Sequence, residues 1–142
     1  MNRLMSIMAA LGVVLLLVAA GPAQASSADT AKYQMVFVPT WDSASHPVEY
    51  PNGKGHFSGL IGATHTENYH IFAPGKQPTP GLENLSEHGS PTPLDNEINA
   101  AIKDAKAGTL IQIPDPIKGD AKQPVSIVFT IDKKHPYVSV VA

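Results

Sequence analysis

The sequence predicts a mainly β domain of short strands joined by turns, with one or two helices inserted. Three observations carry that expectation. Thirteen prolines and eleven glycines stand against only 15% charged residues, a composition rich in chain reversals. Segments 32–38 and 126–132 alternate along the chain as strands do. Helix start and stop signals are confined to two stretches, about 80–88 and 93–107.

The first residues are expected to lie outside the fold. Asn2 and Arg3 form a short positive region, Met8 to Ala20 is an unbroken run of apolar residues and glycine, and Gly21-Pro22 interrupts it. Ala23-Gln24-Ala25 then supplies the small-x-small pattern of a signal peptidase site. The run is short for a membrane span. Residues 1–25 are therefore read as a signal peptide, with an uncleaved anchor as the alternative. Residues 26–31 are a mobile polar lead-in and 32–142 one domain. No membrane anchor is expected after cleavage, and the mature chain is expected to be secreted or periplasmic.

The formal net charge is −2, one unit more negative once Arg3 is removed. That balance provides no basic footprint for nucleic acid and no polybasic patch for anionic lipid. The chain has no cysteine, which excludes a disulfide framework, a thiol nucleophile, an iron–sulfur cluster, a blue-copper site and lipidation at the cleavage point. The core must supply the stability alone.

Lys32 to Val38 alternates, but its second face is also largely apolar, so a strand between two covered layers is expected. Pro39 ends it. Thr40 to Gly55 is a long connection with Asn52-Gly53 as a turn, and Trp41 is expected to pin it to the core. Phe57 to Thr64 reads as a strand in which Gly59 and Gly62 mark a bulge or a close backbone approach. Tyr69 to Phe72 reads as another short strand. Thr79 and Pro80 look like N-cap and N1 of the first helix, with Leu82 and Leu85 inward and Gly89 as its left-handed stop. In the second helix Thr92 should cap, Asp95 should complete a capping box, and Gly108 should close it. Its stripe is Leu94, Ile98, Ala101, Ile102 and Ala105. Strands follow at 109–113, at 126–132 with Ile127, Phe129 and Ile131 on the core face, and at 137–142. An apolar strand that ends on the terminal carboxylate suggests a domain cut before its last strands. The alternative is an edge strand that simply ends.

One ordered set of residues resembles a known family. It comprises Ala31-Lys32-Tyr33, Trp41, His46-Pro47, Tyr50-Pro51 and His56-Phe57-Ser58. It continues with Leu60-Ile61-Gly62-Ala63-Thr64-His65, Asn68-Tyr69, Gly75, Gly81-Leu82 and Glu87-His88-Gly89-Ser90-Pro91. In this order and spacing they are similar to the spondin N-terminal domain family, shared by F-spondin-like matrix proteins and many exported bacterial proteins. The resemblance covers about 31–142. It implies an all-β antiparallel sandwich of C2-like topology with a helical insertion, and a binding or adhesion role without catalysis. In animal members the domain binds calcium through aspartates in segments beyond the strand matching Tyr137 to Ala142. No calcium ligand is therefore transferred to this chain, and no cofactor is expected in it.

Five of the six histidines fall between His46 and His88. His46, His56, His65 and His70 are the only candidate metal ligands, since imidazole suits transition metals. Their spacing matches no zinc or copper signature, and His65 and His70, at i and i+5, would point to opposite faces of a strand. The favoured reading makes His46 and His65 packed, hydrogen-bonded residues of the fold. No nucleophile elbow is present, Gly53-Lys54-Gly55 lacks the context of a phosphate loop, and Asn84-Leu85-Ser86 is a glycosylation sequon by chance. No catalytic residue is assigned. The expected function is that of an exported, non-enzymatic spondin-type module binding an extracellular or periplasmic protein or glycan. The alternative is a periplasmic transition-metal-binding protein using the histidines at 46–70.

Overall fold

Strand β3 (Leu60–His65) is where the fold is assembled, because all six of its residues are buried. The computed structural model describes residues 29–51, 53–121 and 123–142. The expected signal peptide at 1–25, residues 26–28 of the lead-in, and Asn52 of the expected turn lie outside the described residues. The other elements are β1 (Thr30–Phe37), β2 (His56–Phe57), α1 (Pro80–His88), α2 (Leu94–Lys103), β4 (Ala107–Ile113), β5 (Ile117–Lys118), β6 (Val125–Asp132) and β7 (Tyr137–Val141).

β3 lies between β4 and β7, antiparallel to both. Its alternate residues Ile61 and Ala63 join one apolar cluster with Leu85 of α1 and with Leu94, Ile98 and Ala101 of α2. One face of the sheet is thus closed by the two helices. β7 crosses β3 closely at Gly62, where a Cβ would collide with the Ser139 carbonyl oxygen. The glycine there provides the expected close approach. The bulge lies elsewhere, between Ala63 and His65. There the Thr64 hydroxyl accepts a hydrogen bond from the Thr109 N–H at 2.8 Å, bridging the break in the ladder.

β1 and β6 form a second antiparallel pair, from Thr30 opposite Asp132 to Phe37 opposite Val125. β6 is tied to β4 by the Thr109 hydroxyl, which donates to the Thr130 carbonyl at 3.2 Å. A short pair, β2 with β5, sits apart from both. The architecture is an antiparallel β-sandwich with two inserted helices.

Several expectations need correction. β1 is not covered on two sides: Tyr33 and Val36 are half exposed and Val38 more so. The pair it forms is covered on one side only, whereas β3 is the strand buried on both. The expected strand at 57–64 is divided into β2 and β3 at Ser58-Gly59. Tyr69–Phe72 is not a strand. Both edges of β3, the strand it follows, are taken by β4 and β7, and the segment pairs with neither of them. It instead inserts Ile71 into the core while His70 and Phe72 face outward.

α1 follows expectation closely. Thr79 accepts from the Leu82 N–H, Pro80 opens the first turn, and Gly89 ends the helix at φ 68°. α2 ends four residues early. Ala105 takes φ 55°, turning the chain toward the sheet, and the Lys106 carbonyl is claimed by the Thr66 N–H at 2.9 Å. Strand β4 therefore starts at Ala107, and Gly108 lies inside it. A Cβ at Gly108 would come within 2.8 Å of the Thr64 hydroxyl and 2.9 Å of the His135 ring. Packing, not helix termination, requires that glycine. Thr92 does not cap α2: its hydroxyl donates to the Asp95 carboxylate at 2.8 Å, and the cap position, Pro93, has no side-chain hydrogen bond.

Candidate functional site

The four histidines singled out from the sequence occupy three different settings. His65 ends β3 and is only 4% exposed. Its Nδ1 lies 2.7 Å from the Thr66 carbonyl, and its Nε2 lies 2.8 Å from the Ser139 hydroxyl on β7. A carbonyl only accepts, so Nδ1 carries the proton and Nε2 accepts from Ser139. Neither nitrogen keeps a lone pair for a metal. The ring stacks on Tyr137 at 5.9 Å and meets Tyr69 edge-on at 5.8 Å. His65 thus locks β3 to β7, which is the packed role expected of it.

His70 does meet His65, with ring centroids 6.3 Å apart. The opposite-face expectation fails because the chain turns after β3, with the Tyr69 N–H bonded back to the Thr66 carbonyl at 3.3 Å. His56 is exposed on β2 and faces the Lys54 carbonyl through Nδ1 at 2.8 Å. His46 is also exposed rather than packed. Its Nδ1 is 3.0 Å from the Ser45 hydroxyl, and its ring lies edge-on to Trp41 at 6.4 Å. Among the described residues, no group of three or more histidine, aspartate or glutamate side chains could hold a metal ion.

His46 belongs to the long connection between β1 and β2, which Trp41 pins as expected. The Trp41 N–H bonds the Gly119 carbonyl at 3.1 Å, and the Trp41 carbonyl accepts from the Tyr50 hydroxyl at 3.0 Å. The indole packs edge-on against Tyr50 and Phe57, both at 6.1 Å. Burial, and then the charges of Asp120 and Asp42, raise the Tyr50 phenol above its usual pKa. Asp42 braces the loop by accepting from the Ser45 and Ala44 N–H groups at 2.7 and 3.0 Å. The bonds from Ser45 hold its carboxyl below the usual value. Between the Asp42–Ser45 turn and Tyr50, Val48 is 82% exposed. The loop thus presents an apolar side chain to water on a connecting segment, the kind of place where recognition residues are often found.

Two well-placed groups escaped sequence reasoning. His135 is buried, with Nδ1 3.0 Å from the Asp132 carboxylate and Nε2 3.2 Å from the Ala105 carbonyl. It joins the β6–β7 turn to the exit from α2, and its hydrogen bond to Asp132 lowers the pKa of that carboxyl. The only signal was Asp132-x-x-His135 at a turn. Glu97 of α2 accepts the Gly81 N–H of α1 at 2.7 Å through Oε1. A Cβ at Gly81 would come within 2.5 Å of the Leu94 backbone, so glycine lets the helices meet. Burial and then Glu97 raise the pKa of the nearby Tyr69 phenol. Because Glu97 and Gly81 lie on different helices, no local motif announces their pairing.

Among the described residues, no helix is long and apolar enough to cross a membrane. The Spondin_N family model matches residues 31–142. Spondin-1 of Homo sapiens is 36% identical over 69 residues, which cover 49% of this chain and 9% of the relative. Spondin-1 of Gallus gallus is 35% identical over 69 residues, with the same coverage of 49% and 9%. Spondin-2 of Homo sapiens is 30% identical over 83 residues, covering 57% of this chain and 25% of the relative. The matched stretch thus spans a quarter or less of each of these relatives. The helix-backed sheet, the histidine lock and the Trp41-braced loop all lie within 31–142, and over those residues the chain belongs to the Spondin_N family.

Proposed function

We propose that this chain is an exported, non-enzymatic binding module of spondin type that recognises an extracellular or periplasmic protein or glycan. The observation that carries this reading is the loop from Thr40 to Gly55, braced by Trp41, Asp42 and Tyr50, with Val48 exposed to water between them. Holding an apolar side chain in place before contact lowers the entropic cost of association. Family membership supports the same reading, and the apolar run before Ala25 supports export. The reading invokes no cofactor and no metal.

Its test is a panel of exported polymers and matrix proteins presented to the immobilised chain, with binding followed by interferometry. Saturable binding that Val48→Asp reduces at least about tenfold, equivalent to about 1.4 kcal/mol, supports a loop-mediated module. Saturable binding indifferent to Val48→Asp refutes the loop assignment. Chemical turnover of a bound partner replaces the binding reading with an enzymatic one.

A further inference from the structure

We propose that His135 is a proton-operated clasp. Doubly protonated, it ties the corner between α2 and β4 to the β6–β7 turn, and on losing one proton it releases that corner. His135 is 8% exposed, and both of its ring nitrogens face groups that can only accept. Nδ1 lies 3.0 Å from each oxygen of the Asp132 carboxylate, and Nε2 lies 3.2 Å from the Ala105 carbonyl. The carboxylate is fixed in place by the backbone N–H groups of Lys134 and His135, both at 2.8 Å. A neutral imidazole has one N–H and one lone pair, so it can satisfy one of its two neighbours and must oppose the other. Only the imidazolium donates to both. His65 is the contrasting case, because the Ser139 hydroxyl can donate to its Nε2 and one ring proton suffices there.

The two contacts are unequal. A bond to a carboxylate is stronger than one to a neutral carbonyl, so a neutral ring keeps its proton on Nδ1 and loses the Ala105 contact. What that contact holds is a strained corner. α2 closes with the Ala105 N–H on the Ile102 carbonyl and the Lys106 N–H on the Ala101 carbonyl. This pattern puts the residue after the cap in the left-handed region, where glycine is usual. Here it is Ala105, at φ 55°, and its Cβ makes that conformation costly. The clasp therefore restrains a corner that its own sequence does not favour. The other charged groups of the segments meeting there are Lys133 and Lys134 in the turn and Lys103, Asp104 and Lys106 at the α2 exit, all exposed. Asp104 and Lys106 pair with each other at 3.3 Å. His65 of β3, opposite Ala107 in the sheet, is the other histidine bordering the corner. The clasp stands independently of what the chain binds.

The Lys106 N–H is a built-in reporter, since it belongs to the turn that the clasp restrains. The experiment titrates the isotope-labelled chain from about pH 5 to about pH 8, the range in which histidine changes charge. Magnetic resonance follows the ring nitrogens of His135 and the solvent exchange of the Lys106 N–H. At the acid end both ring nitrogens should carry protons. Toward the alkaline end Nε2 should lose its proton while Nδ1 keeps its own. Along the same curve the protection of the Lys106 N–H, corrected for base catalysis of exchange, should fall at least about tenfold as the corner opens. His135→Gln, which cannot gain or lose a proton and leaves His65 in place, should abolish that pH dependence at Lys106. An unprotonated ring nitrogen at the acid end, ring deprotonation that leaves Lys106 protection unchanged, or the same fall in His135→Gln would overturn the proposal. The ring and Lys106 signals are read on the unaltered chain, so they decide the matter even if the variant does not fold.

Discussion

The sheet β4–β3–β7 and the pair β1–β6 are built from similar β-forming residues but carry different burdens. β3 is buried at every position, flanked by β4 and β7 and with the helices closing one face. In β1, Phe37 and Met35 are half buried while Lys32, Gln34 and Val36 face water. The same alternation that looked two-sided in the sequence is one-sided in the molecule. The difference teaches that strand composition reports the capacity to be buried, and the neighbouring layers decide whether that capacity is used.

The sharpest way to break this comparison is to empty the covered side. Ile98 is fully buried against the sheet, and Ile98→Ala should cost about 2–5 kcal/mol in urea unfolding. A loss below about 1 kcal/mol would mean that the helices do not close the sheet as described. The next effect is at the strand lock. His65→Ala leaves the Ser139 hydroxyl and the Thr66 carbonyl without their shared partner and should cost about 2–3 kcal/mol. The same lock predicts that zinc leaves the melting temperature of the unaltered chain unchanged. A stoichiometric rise abolished by His65→Ala would instead support the metal-binding alternative.

Acid tests the join between the two regions. The Asp132 carboxyl has its pKa lowered in the folded chain, chiefly by the hydrogen bond from His135. In the unfolded chain its value is higher, so its contribution is present above the unfolded value of about 3.8 and fades as pH falls through the lowered folded value. Asp132→Asn should therefore be less stable than the unaltered chain near neutrality, with the gap closing in acid. A gap that stays constant with pH would show that the carboxylate charge is not what matters. The smallest effect belongs to the open side. Val36 is 52% exposed, and Val36→Thr should change stability by less than about 0.5 kcal/mol. A cost like that of Ile98→Ala would show that the open face is covered in solution.

Local chemistry made α1 legible, because Thr79, Pro80 and Gly89 each act on backbone groups a few residues away. The start of α2 was legible from its stripe, but its end was not. Ala105 leaves the helix because Lys106 is drawn to Thr66, a partner forty positions earlier in the chain. Tyr69–Phe72 misled for a related reason, since its apolar residues are spent on inserting Ile71 into the core rather than on pairing with a strand. At the candidate site, the Trp41 anchor was readable from a large aromatic in a long loop, whereas the exposure of Val48 within it was not.

By itself, the sequence determined which segments could be strands, where α1 begins and ends, that no cysteine chemistry is available, and which family the chain resembles. Those properties depend on residue type and short-range spacing. Only the tertiary structure decided that β3 rather than β1 is the covered strand and that His65 serves Ser139. It also decided that Gly108 makes room for His135 and that Glu97 of one helix holds Gly81 of the other. Each of these depends on which distant backbone comes within hydrogen-bonding or packing reach, and that is set by the arrangement of layers rather than by any local pattern.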